Sequence, residues 1–599
     1  MKWSLLSFAC FFATSIATRP NCTPSAEYLN SFKTGAGYGD VKLRYREVPA
    51  GICELQPGVK SYSGYADIAE NKHIFFWFFE ARNVDPKNAP LTAWISGGPG
   101  DSSMAELFTE HGPCRVRPDE ELHYNPFSWN NYSNVIYIDQ PLHVGFSYTN
   151  LVPGYLGYDE ENEDDNIIEL GPNESCPKDA EQCGCFSKPD PDTTANSTIN
   201  AAPDFWLTLQ AFMGTFPQYS NNGFHFGSES YGGHYVPVIS KYIQDQNKAQ
   251  PSARHIDLKS ILIGNGWFSP QRQHKSFYDY GFEPGSPYDL APLDDEVKKG
   301  VHDSYYGKGN CLDLLKKCEA TGTNEDCRKA DAYCGKNVQT PWITASKRNT
   351  NDVREIDPSP FPNSFYADYL QNSTVREAIG ALQTYIELNP VVGIAFDLTG
   401  DDARELGIID ILGGLVKDGV KVVLYAGDAD YECNYMGVEA SAEAVGVPGF
   451  DKAGYTDIRT PDCVTHGQVR QAGGLSFVRV YEAGHAAGAF QPLLLQTMFA
   501  RTIAGVNIAS GTNENLPSQP HSTYREGNGT VQYVKWSEKS TYNTTSNTPT
   551  SGDFQPTWRG DECSRSSTSR VPSDAPPSSP GHYKLPVALS VLYSLYHGV

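Results

Sequence analysis

Seven residues limit what this chain can fold into more than any other stretch: Gly227-Ser228-Glu229-Ser230-Tyr231-Gly232-Gly233. The residues before them, Gly223 to Phe226, have strand character. Those after them, His234 to Ile243, place apolar residues on one side of a helix. A serine on a sharp turn between a strand and a helix is the layout of a nucleophile elbow. Both flanks must be small because the turn is tight. Gly232 meets that need, and Ser228 stands where a glycine is usual. Alone, a glycine-rich turn is a common connector, so the rest of the chain has to supply the chemistry.

Other short apolar runs end in similar punctuation. Tyr62 to Ile68 and His73 to Ala81 read as two strands joined at Glu70-Asn71-Lys72. Pro90 to Ser96 reads as a buried strand feeding the loop Gly97-Gly98-Pro99-Gly100-Asp101-Ser102-Ser103. Further strands are expected at Asn134–Asp139, Ile261–Ile263, Lys421–Ala426 and Leu475–Val480, with helices at Asp204–Phe216 and Pro492–Ile503. Strands alternating with helices predict an α/β sheet covered on both faces. Residues 150–200 are acidic and polar and read as a long surface loop, whereas about 270–400 reads as a helical insertion.

Within that insertion Cys311, Cys318, Cys327 and Cys334 are spaced seven, nine and seven. Residues seven apart share a helix face. Two antiparallel helices would therefore pair Cys311 with Cys334 and Cys318 with Cys327, stapling a hairpin over the site. A four-cysteine zinc site is the alternative, but its ligand pairs are usually closer in sequence. No metal or other cofactor is expected.

Disulfides require an oxidising compartment. Leu5–Ile16 is apolar but too short to span a bilayer, and Ser15-Ile16-Ala17 supplies a small-x-small site, so residues 1–17 read as a secretory signal peptide. Cys10 leaves with it, and the odd number remaining from 14 cysteines implies a free thiol. Glycosylation sequons begin at Asn21, Asn131, Asn173, Asn196, Asn372, Asn528 and Asn543. The folded domain is expected over 18–510, followed by a Ser/Thr/Pro-rich stalk over 511–573. Small residues from Ser573, a polar spacer and an apolar end predict a GPI-attachment signal over 574–599, with Ser573 as the attachment residue; a short transmembrane anchor is the alternative, but no basic stop follows the apolar run. The membrane is then reached through a lipid anchor. With Asp+Glu 71 against Lys+Arg 47 and a net charge of -24, nucleic acid is excluded as a partner.

Three strand ends carry, in order, Ser230, Asp430 and His485. Serine, acid, histidine is the chain order of α/β-hydrolases. An imidazole takes the serine proton, and a carboxylate fixes the imidazole's tautomer and stabilises its charged form.

The chain resembles the serine carboxypeptidases, the family of carboxypeptidase Y and the wheat enzyme, and more closely a secreted, GPI-anchored fungal branch. The matching motifs are Ser96-Gly97-Gly98-Pro99-Gly100-Asp101-Ser102-Ser103, Asp139-Gln140-Pro141 with Val144-Gly145-Phe146-Ser147, Glu229-Ser230-Tyr231-Gly232-Gly233, Gly264-Asn265-Gly266, Gly427-Asp428-Ala429-Asp430 with Cys433-Asn434, and Ala483-Gly484-His485. The resemblance implies an α/β-hydrolase fold with a helical lid, and Ser230, His485 and Asp430 as the triad, with Asp428 structural. It implies an oxyanion hole from the amides of Gly98 and Tyr231, and recognition of a peptide's terminal carboxylate by Ser96, Gly97, Glu110 and Glu229. Glu110 and Glu229 would share a proton at acid pH, giving an acidic optimum on peptides. Ser96 stands for an asparagine in many members, and Asp101 for a disulfide cysteine. Cys433 is either the free thiol or the partner of Cys463. An esterase or lipase on the same fold, and an inactive surface glycoprotein, are the competing readings.

Overall fold

The computed structural model describes residues 19–512, apart from 118–119, 160–163, 179, 181, 284–287, 289–292, 357–360 and 462–464, together with two short stretches at 542–543 and 548–549. The expected signal peptide, the stalk beyond 512, the anchor signal with Ser573, Asn528, Cys463 and the side chain of Asn543 therefore lie outside the described residues.

A twelve-stranded sheet runs through the molecule. Its strands in chain order are β1 (Lys33–Ala36), β2 (Lys42–Glu47), β3 (Ser61–Ala69), β4 (Lys72–Phe79), β5 (Leu91–Ile95), β6 (Asn134–Ile138), β7 (Phe224–Glu229), β8 (Leu258–Gly264), β9 (Lys421–Gly427), β10 (Thr456–Asp457), β11 (Gly467–Ala472) and β12 (Leu475–Val480). Across the sheet they lie in the order β1-β2-β3-β4-β6-β5-β7-β8-β9-β12-β11-β10. The stretch from β6 to β12 is parallel, and the strands outside it are antiparallel.

The central strands β5, β6 and β7 are buried at every position because both faces of the sheet are covered. In β4 the alternation divides the side chains between two layers. Ile74, Phe76 and Phe78 join the core on the side of the helix Thr198–Thr215. Phe75, Trp77 and Phe79 join the opposite core with Trp94, Trp129 and Phe499. Trp129 lies flat against Phe499, from the helix Pro492–Ala504, with ring centroids 4.2 Å apart.

The insertion between β8 and β9 is mostly helical, as the sequence predicts. Its hairpin consists of the helices Cys311–Thr321 and Asn324–Cys334, turning at Gly322 in the left-handed conformation. The bridges Cys311–Cys334 and Cys318–Cys327 form across it. Three further bridges are Cys22–Cys185, Cys53–Cys114 and Cys176–Cys183, and Cys433 is a free, buried thiol.

Two expectations need correction. The region 150–200 is not one long loop: Leu151–Asp159, Asp164–Glu169 and Gln182–Ser187 form a three-stranded antiparallel sheet. Its small core of Ile167, Phe186 and Ile386 is completed from the insertion. The helix ahead of the elbow starts at Thr198, capped by Ser197, rather than at Asp204.

Candidate active site

The functional segments leave the carboxyl ends of the parallel strands, where open α/β sheets place their sites. Ser230 follows β7 and has φ of 58°, the left-handed backbone of a strained elbow. Its neighbours hold the turn: the Ser230 amide donates to Gly264 O, and Trp267 N donates to Ser230 O. A Cβ on Gly232 would lie 2.0 Å from Ser228 Oγ, so the serine before the elbow is tolerated only because glycine follows it.

Asp430 is fully buried beyond β9. Its Oδ2 accepts from His485 Nδ1 at 2.9 Å, from Asn265 Nδ2 at 2.8 Å and from the Cys433 amide at 3.0 Å, while Oδ1 accepts from the Glu432 amide. Asn265 thereby orients the acid, while its Oδ1 accepts from Gly427 N. Burial pulls the His485 imidazole down, but the charge and hydrogen bond of Asp430 outweigh it and push the group up to about 9. Among the described residues no hydrogen bond joins the Ser230 hydroxyl to His485. Such a contact is commonly long in a resting enzyme and tightens when substrate is bound. Asp428 has a different setting. It accepts from Tyr288 OH, the Glu482 amide and Arg479, bracing the loop beneath the histidine.

A strap from the insertion ties the acid and base loops together. Thr350 O accepts from the amides of Tyr431 and Glu432, Asn351 O accepts from the His485 amide, and Val353 N donates to Ala429 O. Trp342 stacks on Tyr431 with ring centroids 4.0 Å apart. Nothing in the sequence marks 350–353 for this role, because the strap acts through backbone atoms.

The glycine loop after β5 lies directly against the elbow. A Cβ on Gly97 would sit 2.7 Å from Glu229 O, Ser230 Cβ and Tyr231 N. Gly98 and Tyr231 thus belong to facing segments. Tyr231 is anchored through its hydroxyl, which donates to Asp401 Oδ2 at 2.8 Å, and that oxygen also accepts from Thr198.

Beside the elbow three glutamates converge. Glu110 sits in a π-helical turn, Leu107–His111, that continues the helical turn Met104–Glu106. Its Oε2 accepts from the Gly488 amide, just beyond His485. Glu229 is only 6% exposed, not a surface elbow residue, and Glu110 is 2% exposed. Burial raises both carboxyls, and the charges of Glu110 and Glu106 raise Glu229 further. The hydrogen bond from Glu229 and the Gly488 amide partly offset the rise on Glu110. The third member, Glu106, is absent from the predicted set. Its spacing of four from Glu110 on one helical turn was the available signal. Ser96 donates to Glu106 at 2.5 Å.

Of the described sequons, Asn21, Asn173, Asn196 and Asn372 are exposed. Asn131 is not a candidate for glycosylation: it is buried, its Nδ2 donates to Pro126 O and its Oδ1 accepts from Arg82. Among the described residues no cluster of His, Cys, Asp and Glu could hold a metal ion, and no helix is long and apolar enough to cross a membrane.

A serine elbow, an acid–histidine pair and a glycine loop at the carboxyl edge of a parallel sheet define an α/β-hydrolase. The description "serine carboxypeptidase" matches residues 51–505, and the chain belongs to that family. Carboxypeptidase S1 of Penicillium janthinellum is 35% identical over 468 residues, covering 77% of this chain and 99% of that protein. Carboxypeptidase S1 homolog B of Arthroderma otae is 34% identical over 516 residues, covering 79% and 77%. A prohormone-processing carboxypeptidase from Saccharomyces cerevisiae has the same fold, with TM-score 0.61 at 22% identity over 77% of this chain and 95% of that one. This chain is therefore a serine-type carboxypeptidase.

Proposed function

We propose that this enzyme releases C-terminal residues from peptides at acidic pH, outside the cell, through a Ser230–His485–Asp430 triad. His485 takes the hydroxyl proton as Ser230 attacks the scissile carbonyl. It returns that proton to the departing amino acid, leaving an acyl-enzyme. Water, deprotonated by the same imidazole, then releases the shortened peptide. The amides of Gly98 and Tyr231 stabilise the tetrahedral oxyanion, a contribution of about 100- to 1000-fold per donor.

The observation that carries the reading is the buried carboxyl pair next to the nucleophile. An ester pocket gains nothing from crowded acids. A site for a peptide's terminal carboxylate does, because a protonated carboxyl donates the hydrogen bond that a carboxylate requires. As pH rises and Glu110 and Glu229 ionise together, the site turns anionic and repels its substrate, so recognition belongs to acid pH. Ser96 and Gly97 border the same place.

The test uses a blocked dipeptide and its C-terminal amide, each at pH 4–5 and at pH 7. Release from the free acid, strongest at low pH and lost in Ser230→Ala, is the expected result. Turnover of a simple ester without peptide cleavage would make the protein an esterase, and no turnover would make it an inactive glycoprotein. The signal and anchor segments support a GPI-linked enzyme at the cell surface. Phosphatidylinositol-specific phospholipase C should shed it from intact cells, and retention after that treatment rules out the anchor.

A further inference from the structure

Ser96 has one hydroxyl hydrogen, and its Oγ lies 2.5 Å from Glu106 Oε1. Glu106 is 4% exposed, and the charged groups facing it are all acids: Glu110 on its own turn, Glu229 from the elbow and Asp101 from the glycine loop. The buried phenols of Tyr137, Tyr385 and Tyr425 lie within electrostatic reach of these acids. Arg115 lies on the Glu110 side and donates to the Glu110 carbonyl, and His485 also lies toward Glu110. As carboxylates, Glu106 Oε2, Glu110 Oε1 and Glu229 Oε2 would each be buried without a hydrogen-bond partner. Such an arrangement is stable only when protons are shared among the three, since a carboxylate only accepts whereas a carboxyl can also donate.

Resting on the carboxylate-recognition role proposed above, we propose that Glu106 is a positioning residue whose protonation decides whether Ser96 can donate to the substrate's terminal carboxylate. When ionised, Glu106 is an acceptor and holds the Ser96 hydrogen. When protonated, its own O–H can donate to Ser96 Oγ, and the serine hydrogen, free to rotate, turns toward the incoming carboxylate. The proton is exchanged with solvent and no covalent bond changes. Burial and the neighbouring acids hold this carboxyl up, to about 8, against the opposing bond from Ser96. The switch therefore falls within reach of neutral pH. A serine with a neighbouring acid thus gives a titratable donor in place of a fixed one.

The test is the KM of a blocked dipeptide with a free C-terminus, measured from pH 4.5 to 8.5 in the intact enzyme. Glu106→Gln is fixed in the neutral form. Its KM rise with pH should start about one unit later than in the parent and be shallower. Ser96→Ala is the second variant and does not depend on Glu106 being replaceable. It should raise KM roughly tenfold at pH 5, where the hydroxyl faces substrate, and about half as much at pH 8, where half of the Glu106 carboxyls are ionised and hold it. A Glu106→Gln profile that superimposes on the parent's overturns the proposal, as does a Ser96→Ala penalty of equal size at both pH values. If the parent cleaves the peptide and only these profiles fail, the role of Glu106 falls alone. If the parent releases nothing from the free acid, the carboxypeptidase reading of the site falls with it.

Discussion

Gly97 shows how little room separates recognition from catalysis. Its missing Cβ lets the glycine loop touch the elbow at three atoms, including the Tyr231 amide. Gly97→Ala should push the loop off the elbow and disturb the oxyanion donors, lowering kcat by about 100-fold or more with the circular dichroism spectrum unchanged. Two titrations act in opposite directions here. On the proposed reading, raising pH ionises Glu110, Glu229 and Glu106 and should raise KM for free acids. It also strips the proton from His485, pushed up to about 9, and should thereby raise kcat. A substrate with a blocked C-terminus is spared the first effect, so its optimum should lie at higher pH than that of the free acid. Paired pH–rate profiles measure this, and coincident optima would refute it. The order of Ser230, Asp430 and His485 is legible in sequence because each closes an apolar strand. Glu106 and Asn265 are harder to read: one looks like a surface charge on a short helix, and the other's role depends on a contact 165 residues away.

The stapled hairpin shows what spacing alone can reveal. Cysteines seven apart on paired helices must meet, and the buried faces Cys311, Leu315, Cys318 and Cys327, Ala330, Cys334 follow the same periodicity. Replacing both Cys318 and Cys327 by serine removes a short closed loop. By loop-closure entropy it should cost roughly 2–3 kcal/mol, read as a lower denaturant midpoint. A midpoint equal to the parent's would mean that the helices hold without the bridge. The three-stranded sheet over 151–187 was illegible for the converse reason. Gly154, Gly157, Gly184 and Pro153 make its strands resemble turns. They are specified by remote partners: Cys22 through its bridge to Cys185, and Ile386 in their core.

Across the molecule several buried acids favour their neutral form. Burial raises Asp139 to about 7, despite bonds from Phe146 N, Ser102 and Ser103. It raises Asp101 to about 7 with help from Glu387, and Glu106 to about 8. A carboxyl raised on folding gives stability that is complete below its ordinary value near 4 and is lost as pH climbs through the folded one. Above about pH 6.5, where the buried His111, His143 and His225 are neutral in both states, the melting temperature should therefore fall to about pH 8.5, and calorimetry across that range checks it. A flat profile would show that these groups do not titrate with folding. At this scale the sequence reveals the alternation of strands and helices, and hence a covered parallel sheet. It does not reveal the added strands Lys33–Ala36, Lys42–Glu47, Thr456–Asp457 and Gly467–Ala472, which are short or polar and gain their register from neighbours already in place.

The strap formed by Thr350, Asn351 and Val353 grips both reacting loops through carbonyl and amide groups alone. The side chains of Thr350 and Asn351 take no part in this grip, whereas Val353 is fully buried in the core and is fixed by it. Substitutions at Thr350 and Asn351 that keep the main-chain path should therefore leave the loops of Asp430 and His485 in register.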